Sequence, residues 1–117
     1  MDTNINNYIV QSEAIEWIPL IENNHHYEGI FVKSLRYDKL TKRSKTILLK
    51  FEPGAAYPYH NHPAGEELFV LKGEAIIEKT RLSEGSYLYT PPNFKHSVHT
   101  ELGCLLLLVI PEEVEIL

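Results

Sequence analysis

Short runs of β-branched, leucine and aromatic residues recur along the chain, and Gly, Pro, Asn or, at Asp38–Ser44, a charged turn cuts each one off before it could complete three helical turns. The runs are Gly29–Tyr37, Lys45–Phe51, Leu68–Leu71, Ala75–Lys79, Ser86–Thr90, His96–Thr100 and Cys104–Ile110. Between them lie Asp38–Ser44, Pro53-Gly54, Lys72-Gly73, Ser83-Glu84-Gly85, Pro91-Pro92-Asn93 and Leu102-Gly103. Such punctuation excludes long helices and points to an all-β sandwich or barrel. Pro19 argues against a helix at Trp17–Leu20, so the nearest helical candidate is Ser12–Trp17. Leu105–Val109 is five apolar residues without alternation, which predicts a strand covered on both faces, by a second sheet or by a partner subunit.

At 117 residues the chain is one domain with enough length for a core. We divide it into an arm, 1–14, and a β domain, 15–117. The 16 acidic residues outnumber the 11 basic ones, and no Lys/Arg cluster forms a phosphate-binding face, so nucleic acid is not an expected partner. No apolar run reaches membrane-spanning length, and the N-terminus lacks a basic region followed by an apolar one. The expected setting is cytoplasmic. The single cysteine, Cys104, excludes an internal disulfide and any multi-cysteine zinc site. With apolar neighbours and no nearby cation, it reads as an inert buried thiol.

The chemistry concentrates in Gly54–Gly73, GAAYPYHNHPAGEELFVLKG. On a strand His60 and His62 share one face about 6.6 Å apart, close enough for both imidazoles to converge on one ion at about 2.1 Å. Asn61 must point the other way. After Pro63-Ala64-Gly65 turns the chain back, Glu66 can bring a carboxylate to the same ion. Glu67 is its competitor, but alternation turns it outward. A second segment, GSYLYTPPNFKH, ends in His96. Folded beside the first, it supplies a fourth ligand, and three imidazoles with one carboxylate suit Zn, Fe, Mn, Ni or Cu better than Mg or Ca. His99, three residues beyond His96, falls on the opposite face. His25 and His26 follow Asn23-Asn24 in a polar loop and read as solvated.

These two segments resemble the two cupin motifs. In the first, Gly54, five residues, His60-x-His62, three residues, Glu66, six residues and Gly73 fit throughout. In the second, Gly85, Pro91 and His96 match, while Asn93 stands in a glycine's place and Thr100 in an asparagine's. Asn tolerates the left-handed conformation that the glycine would adopt. Trp17–Leu20, FEPGAAYPYH, GEEL, TPPNFKH and GCLLLLV further resemble the ChrR-like branch, over about residues 15–110.

The resemblance implies a single-domain double-stranded β-helix, a small jelly-roll barrel, holding one divalent metal inside through His60, His62, Glu66 and His96. It also implies a homodimer. ChrR-type anti-sigma factors carry a further N-terminal zinc-binding helical domain. Too few residues precede Trp17 here and no CxxC is present, so sigma-factor binding is not expected to transfer. Tyr87 and Tyr89, counted from Gly85, are expected on the inward face, where with Tyr57 they would line a small-molecule pocket or simply pack the core.

Three functions are compatible with these residues: a metal-binding cupin of unassigned activity, an Fe(II)-type dioxygenase of a small diketone, and a regulatory or sensory zinc protein. Protein–protein regulation through the apolar C-terminal strand is a further class. An isomerase is disfavoured, because the expected pocket holds no Lys, Arg or second carboxylate to act as base.

Overall fold

The computed structural model describes all 117 residues and contains ten strands. In chain order they are β1 (Ile18–Glu22), β2 (His25–Asp38), β3 (Arg43–Phe51), β4 (Ala56–Asn61), β5 (Glu66–Ile77), β6 (Thr80–Ser83), β7 (Tyr87–Thr90), β8 (Lys95–His99), β9 (Cys104–Val109) and β10 (Glu115–Ile116). Ser12–Ala14 forms a single 3-10 turn, as does Ile5–Tyr8, so the helical candidate at Ser12–Trp17 is reduced to three residues.

All pairings are antiparallel. One sheet runs β1-β2-β3-β9-β5-β7, and the other runs β10-β4-β8-β5-β6. Strand β5 belongs to both. Its first half pairs with β7 and β9, and Glu74–Ile77 pairs with β6 and β8. The two strands expected at Leu68–Leu71 and Ala75–Lys79 are therefore one strand, bent at Gly73. There the backbone takes φ +75°, and a Cβ would sit 2.2 Å from the Gly103 carbonyl oxygen. Glycine is needed at that bend, both for the left-handed conformation and for the close approach of β9.

Between the sheets lies a core of 16 buried residues, among them Ile30, Leu68, Val70, Ala75 and Leu106. Strand β9 does alternate. Cys104, Leu106 and Leu108 are buried inside, whereas Leu105, Leu107 and Val109 are half-buried on the outer face. The expected double cover is thus only partial. Beside it on the sheet, Lys50, the ladder partner of Leu105, and Lys33 hold their ammonium groups 4.9 and 4.7 Å from the centre of the Trp17 ring. Lys33 also donates to the Ser12 carbonyl at 2.8 Å. Both lysine heads thus meet the indole, and that of Lys33 also meets the backbone.

Cys104 is buried, and loss of hydration raises its thiol to about 11. At neutral pH the native thiol should react with a thiol-specific reagent far more slowly than in urea. Gly73→Ala should lower stability by about 2 kcal/mol or more, read as a reduced urea midpoint.

Candidate metal centre

Each inward-facing group is placed by the register of its strand. Strands β4 and β8 set His60 directly opposite His96. His62 follows the end of β4, two residues on and therefore on the same face. Strands β5 and β7 set Glu66 opposite Thr90, both buried, and Glu67 opposite Tyr89, both exposed. Gly65 makes that placement possible: it turns the chain at φ +81°, where a Cβ would lie 2.7 Å from the Thr90 carbonyl oxygen.

One ring nitrogen from each of His60, His62 and His96 lies within 4.8 Å of the others, and all three rings are buried. The Nε2 atoms of His60 and His62 are 3.0 Å apart. Glu66 brings Oε2 to 3.1 Å from His62 Nε2 and Oε1 to 3.7 Å from His96 Nε2. Glu66 rather than Glu67 joins the cluster; Glu67 accepts a hydrogen bond from the Tyr87 hydroxyl outside. His60 donates its Nδ1 proton to the Pro58 carbonyl oxygen at 2.6 Å, which leaves its Nε2 with a lone pair aimed at the cluster.

Between the two histidines of β4, Asn61 points away from them. It donates to Glu115 Oε1 at 2.7 Å and to Asn93 Oδ1 at 3.2 Å. Asn93 itself is left-handed, φ +67°, in the turn that leads into His96. Thr100, in place of the cupin asparagine, is buried and donates to the Glu74 carbonyl at 2.7 Å. His99 is exposed and off the cluster, and His25 and His26 are exposed at the start of β2.

The cluster lacks the partners that buried polar groups need. His62 Nδ1, both ring nitrogens of His96 and Glu66 Oε1 have no hydrogen bond, although buried polar atoms are normally paired. A divalent transition metal takes the same donor set, so the residues fit such an ion. Burial also prepares the imidazoles for it. Desolvation, followed by the neighbouring rings, lowers His62 to about 3, and desolvation followed by His60 lowers His96 to about 4. His60 is lowered by the same loss of hydration. All three are neutral at pH 7, as metal ligands must be. Desolvation pushes Glu66 up to about 8.

Beside the cluster is a cavity of about 50 Å³. Its polar walls are His60, His62, Glu66 and Glu22, with the Tyr57 phenol among them; most of the remainder is leucine, isoleucine, valine and phenylalanine. Tyr57 is therefore where a pocket residue should be. Tyr87 and Tyr89 are not. Both are 55% exposed on the outer face, since the Glu66–Thr90 register makes Leu88 and Thr90 the inward residues of β7. Counting from Gly85 gives the opposite parity. Tyr89 instead borders an outer groove of about 280 Å³ with Phe94 and Leu82, one wall of which is His96.

Glu22 corrects the expectation that the pocket has no second carboxylate. It is the last residue of β1, and its Oε1 accepts the Tyr57 hydroxyl proton at 2.5 Å. That contact and burial hold the Tyr57 phenol far above its ordinary value, with burial the larger cause. A sequence signal for Glu22 existed. Leu20 and Glu22 are two apart on one strand, and Asn23-Asn24, with φ of +50° and +64°, is the left-handed pair of a tight hairpin turn.

The sequence profile of the ChrR cupin-like domain matches residues 6–111. The chain belongs to that family. Solved structures with the same fold include the polyketide cyclase RemF of Streptomyces resistomycificus, with a TM-score of 0.72 and 17% identity over 93% of this chain and 84% of that one. An acetylacetone dioxygenase of Acinetobacter johnsonii superposes with a TM-score of 0.69 and 15% identity, over 84% of this chain and 69% of that one. A cupin-like protein of Thermotoga maritima gives 0.63 and 25% identity, over 75% of each chain. The DNA damage-repair/toleration protein DRT102 of Arabidopsis thaliana is 31% identical over 67 residues, 51% of this ChrR-like cupin, which spans only 22% of that relative's length. No helix of the ChrR-like cupin is long and apolar enough to cross a membrane.

In the metal-free protein, Glu66 opposes folding as it ionises. Its folded value of about 8 lies above its unfolded value of 4.5, so its contribution is fully present below pH 4.5 and lost as pH rises to about 8. The lowered His62 and His96 act oppositely, and only below pH 6.5. From pH 6.5 to 8, then, the Tm of chelator-treated wild type should fall relative to that of Glu66→Gln. A constant difference would contradict the burial of a neutral Glu66.

Proposed function

We propose that this ChrR-like cupin binds one divalent transition metal through His60, His62, His96 and Glu66, and uses it on a small carbonyl compound held in the adjoining cavity. One observation carries the reading: three of the four proposed ligands, His60, His62 and Glu66, also line the cavity. A purely structural or sensory zinc would be served by a centre closed on all sides by protein. Here His60, His62 and Glu66 face a space walled by aliphatic side chains. Bound there, the ion would supply Lewis acidity toward a carbonyl or enolate oxygen and, if it is iron, access to oxygen chemistry.

The chain's own residues do the rest. Pro58 fixes the His60 ring, and the apolar walls exclude water. The volume of about 50 Å³ restricts the ligand to a few heavy atoms unless side chains move, since roughly 10–15 Å³ of such space already admits one water. Oxidation of a small diketone is the dioxygenase form of this proposal. The shared fold of the acetylacetone dioxygenase is compatible with that form but carries no activity across.

Protein purified without added metal should contain close to one transition-metal equivalent per chain by elemental analysis. His62→Ala should lose it while keeping its far-ultraviolet circular dichroism. Metal at about 100 times its Kd should stabilise the stripped protein by about 2.7 kcal/mol. Absence of metal from a normally folded wild type, with no thermal shift on adding Zn, Fe, Mn, Ni or Cu, would overturn the assignment. For the dioxygenase form, the Fe(II)-loaded protein should consume oxygen with a β-diketone faster than free iron does.

A further inference from the structure

Glu22 and Tyr57 form a polar pair in a cavity whose only other polar groups are the metal-binding cluster. The pair comes from a different part of the chain: Glu22 from the tip of the β1–β2 hairpin, Tyr57 from β4 three residues before His60. Tyr57 is buried, with its ring 4.9 Å from those of both Tyr27 and His60. Its hydroxyl spends its proton on Glu22 Oε1. That contact fixes the carboxylate rotamer and leaves Oε2 for a ligand. Glu22 is only half-buried, so a proton it accepts can pass to solvent. A buried aliphatic pocket with a carboxylate on one wall and a cation site on another is the arrangement needed for proton abstraction beside a carbonyl group.

We propose that Glu22 is the proton acceptor of this cavity, positioned by Tyr57, and that it enolises a short ketone or hydroxyketone. The inference rests on the metal assignment above. Glu22 Oε2 takes a proton from the carbon next to the carbonyl, and the C–H electron pair becomes the new C=C bond. The former C=O π pair remains on oxygen, which faces the histidine wall. Return of a proton from the carboxylate to carbon restores the ketone, with no oxidant or reductant consumed. Because the carboxylate exchanges its proton with solvent, the ligand's α-hydrogens are replaced by deuterium in D2O.

Hydroxyacetone and butanone separate the roles, being nearly equal in size but differing in one hydroxyl donor. In metal-free wild type, hydroxyacetone should bind at least about fivefold more tightly than butanone by NMR titration, and Glu22→Leu should erase the difference. In zinc-loaded protein, where zinc adds no redox chemistry, proton NMR in D2O should show the α-hydrogens of hydroxyacetone disappearing faster than with free zinc. Glu22→Gln should slow that exchange roughly 100-fold or more while retaining one zinc per chain. Tyr57→Phe should lower the saturated rate about tenfold with half-saturation changed less than about twofold, the pattern of lost positioning rather than lost binding. Exchange in Glu22→Gln at the wild-type rate, or none above free zinc in wild type, would overturn the proposal. Zinc content on the same samples identifies the alternative failure: without zinc the metal assignment falls, and the metal-free binding comparison still decides whether Glu22 meets a ligand.

Discussion

Three imidazoles and a carboxylate occupy an interior that offers them almost no hydrogen bonds, and this is the constraint around which the barrel is arranged. Burying a polar group without a partner costs free energy, and four such atoms, on His62, His96 and Glu66, are expensive to fold. The surrounding elements answer that cost by fixing geometry: Pro58 sets one ring, the β4–β8 register sets two histidines face to face, and Gly65 turns Glu66 inward. The interior therefore gives up stability to hold a donor set that an ion can complete.

That arrangement depends on parity. A strand shifted by one residue exchanges its faces, so Glu66 could be replaced in the centre by Glu67, or Thr90 by Tyr89, with no change of composition. Gly73 lets β5 bend from one sheet into the other, and so lets a single strand connect the cluster to both halves of the barrel. Asn61 extends the control outward by tying the strand that carries His60 to the turn before His96 and to Glu115.

The residues of the buried cluster were legible in the sequence because their signal is local: His60, His62 and Glu66 lie within seven residues, and His96 closes a second segment that starts at Gly85 and turns at Pro91. The all-β class was legible for the same reason, from punctuation. What depended on long-range register was not. Tyr87 and Tyr89 face outward because β7 pairs with β5 at Glu66–Thr90, a fact about two strands rather than one. The parity that sets Glu22 on the face of Leu20 is local, but nothing in IPLIE connects Glu22 to HNH; only the hairpin and the hydrogen bond from Tyr57 bring them together. The outer cover of β9 was expected from another sheet or subunit, yet Leu105, Leu107 and Val109 are only half-buried, and the stacking of Trp17 on Lys33 and Lys50 nearby is a contact no periodicity announces.

His60 and His96 face each other across a ladder, yet 35 residues lie between them along the chain. Closing a loop of that size costs on the order of 3 kcal/mol in chain entropy before any contact rewards it, and β5, β6 and β7 must form within it. The consequence is kinetic. A site assembled from such distant strands exists only after the slow non-local pairing is complete, so an ion entering it arrives late. Bound there, it would act as a lock, lengthening the lifetime of the folded barrel by slowing unfolding and leaving the rate of folding nearly unchanged.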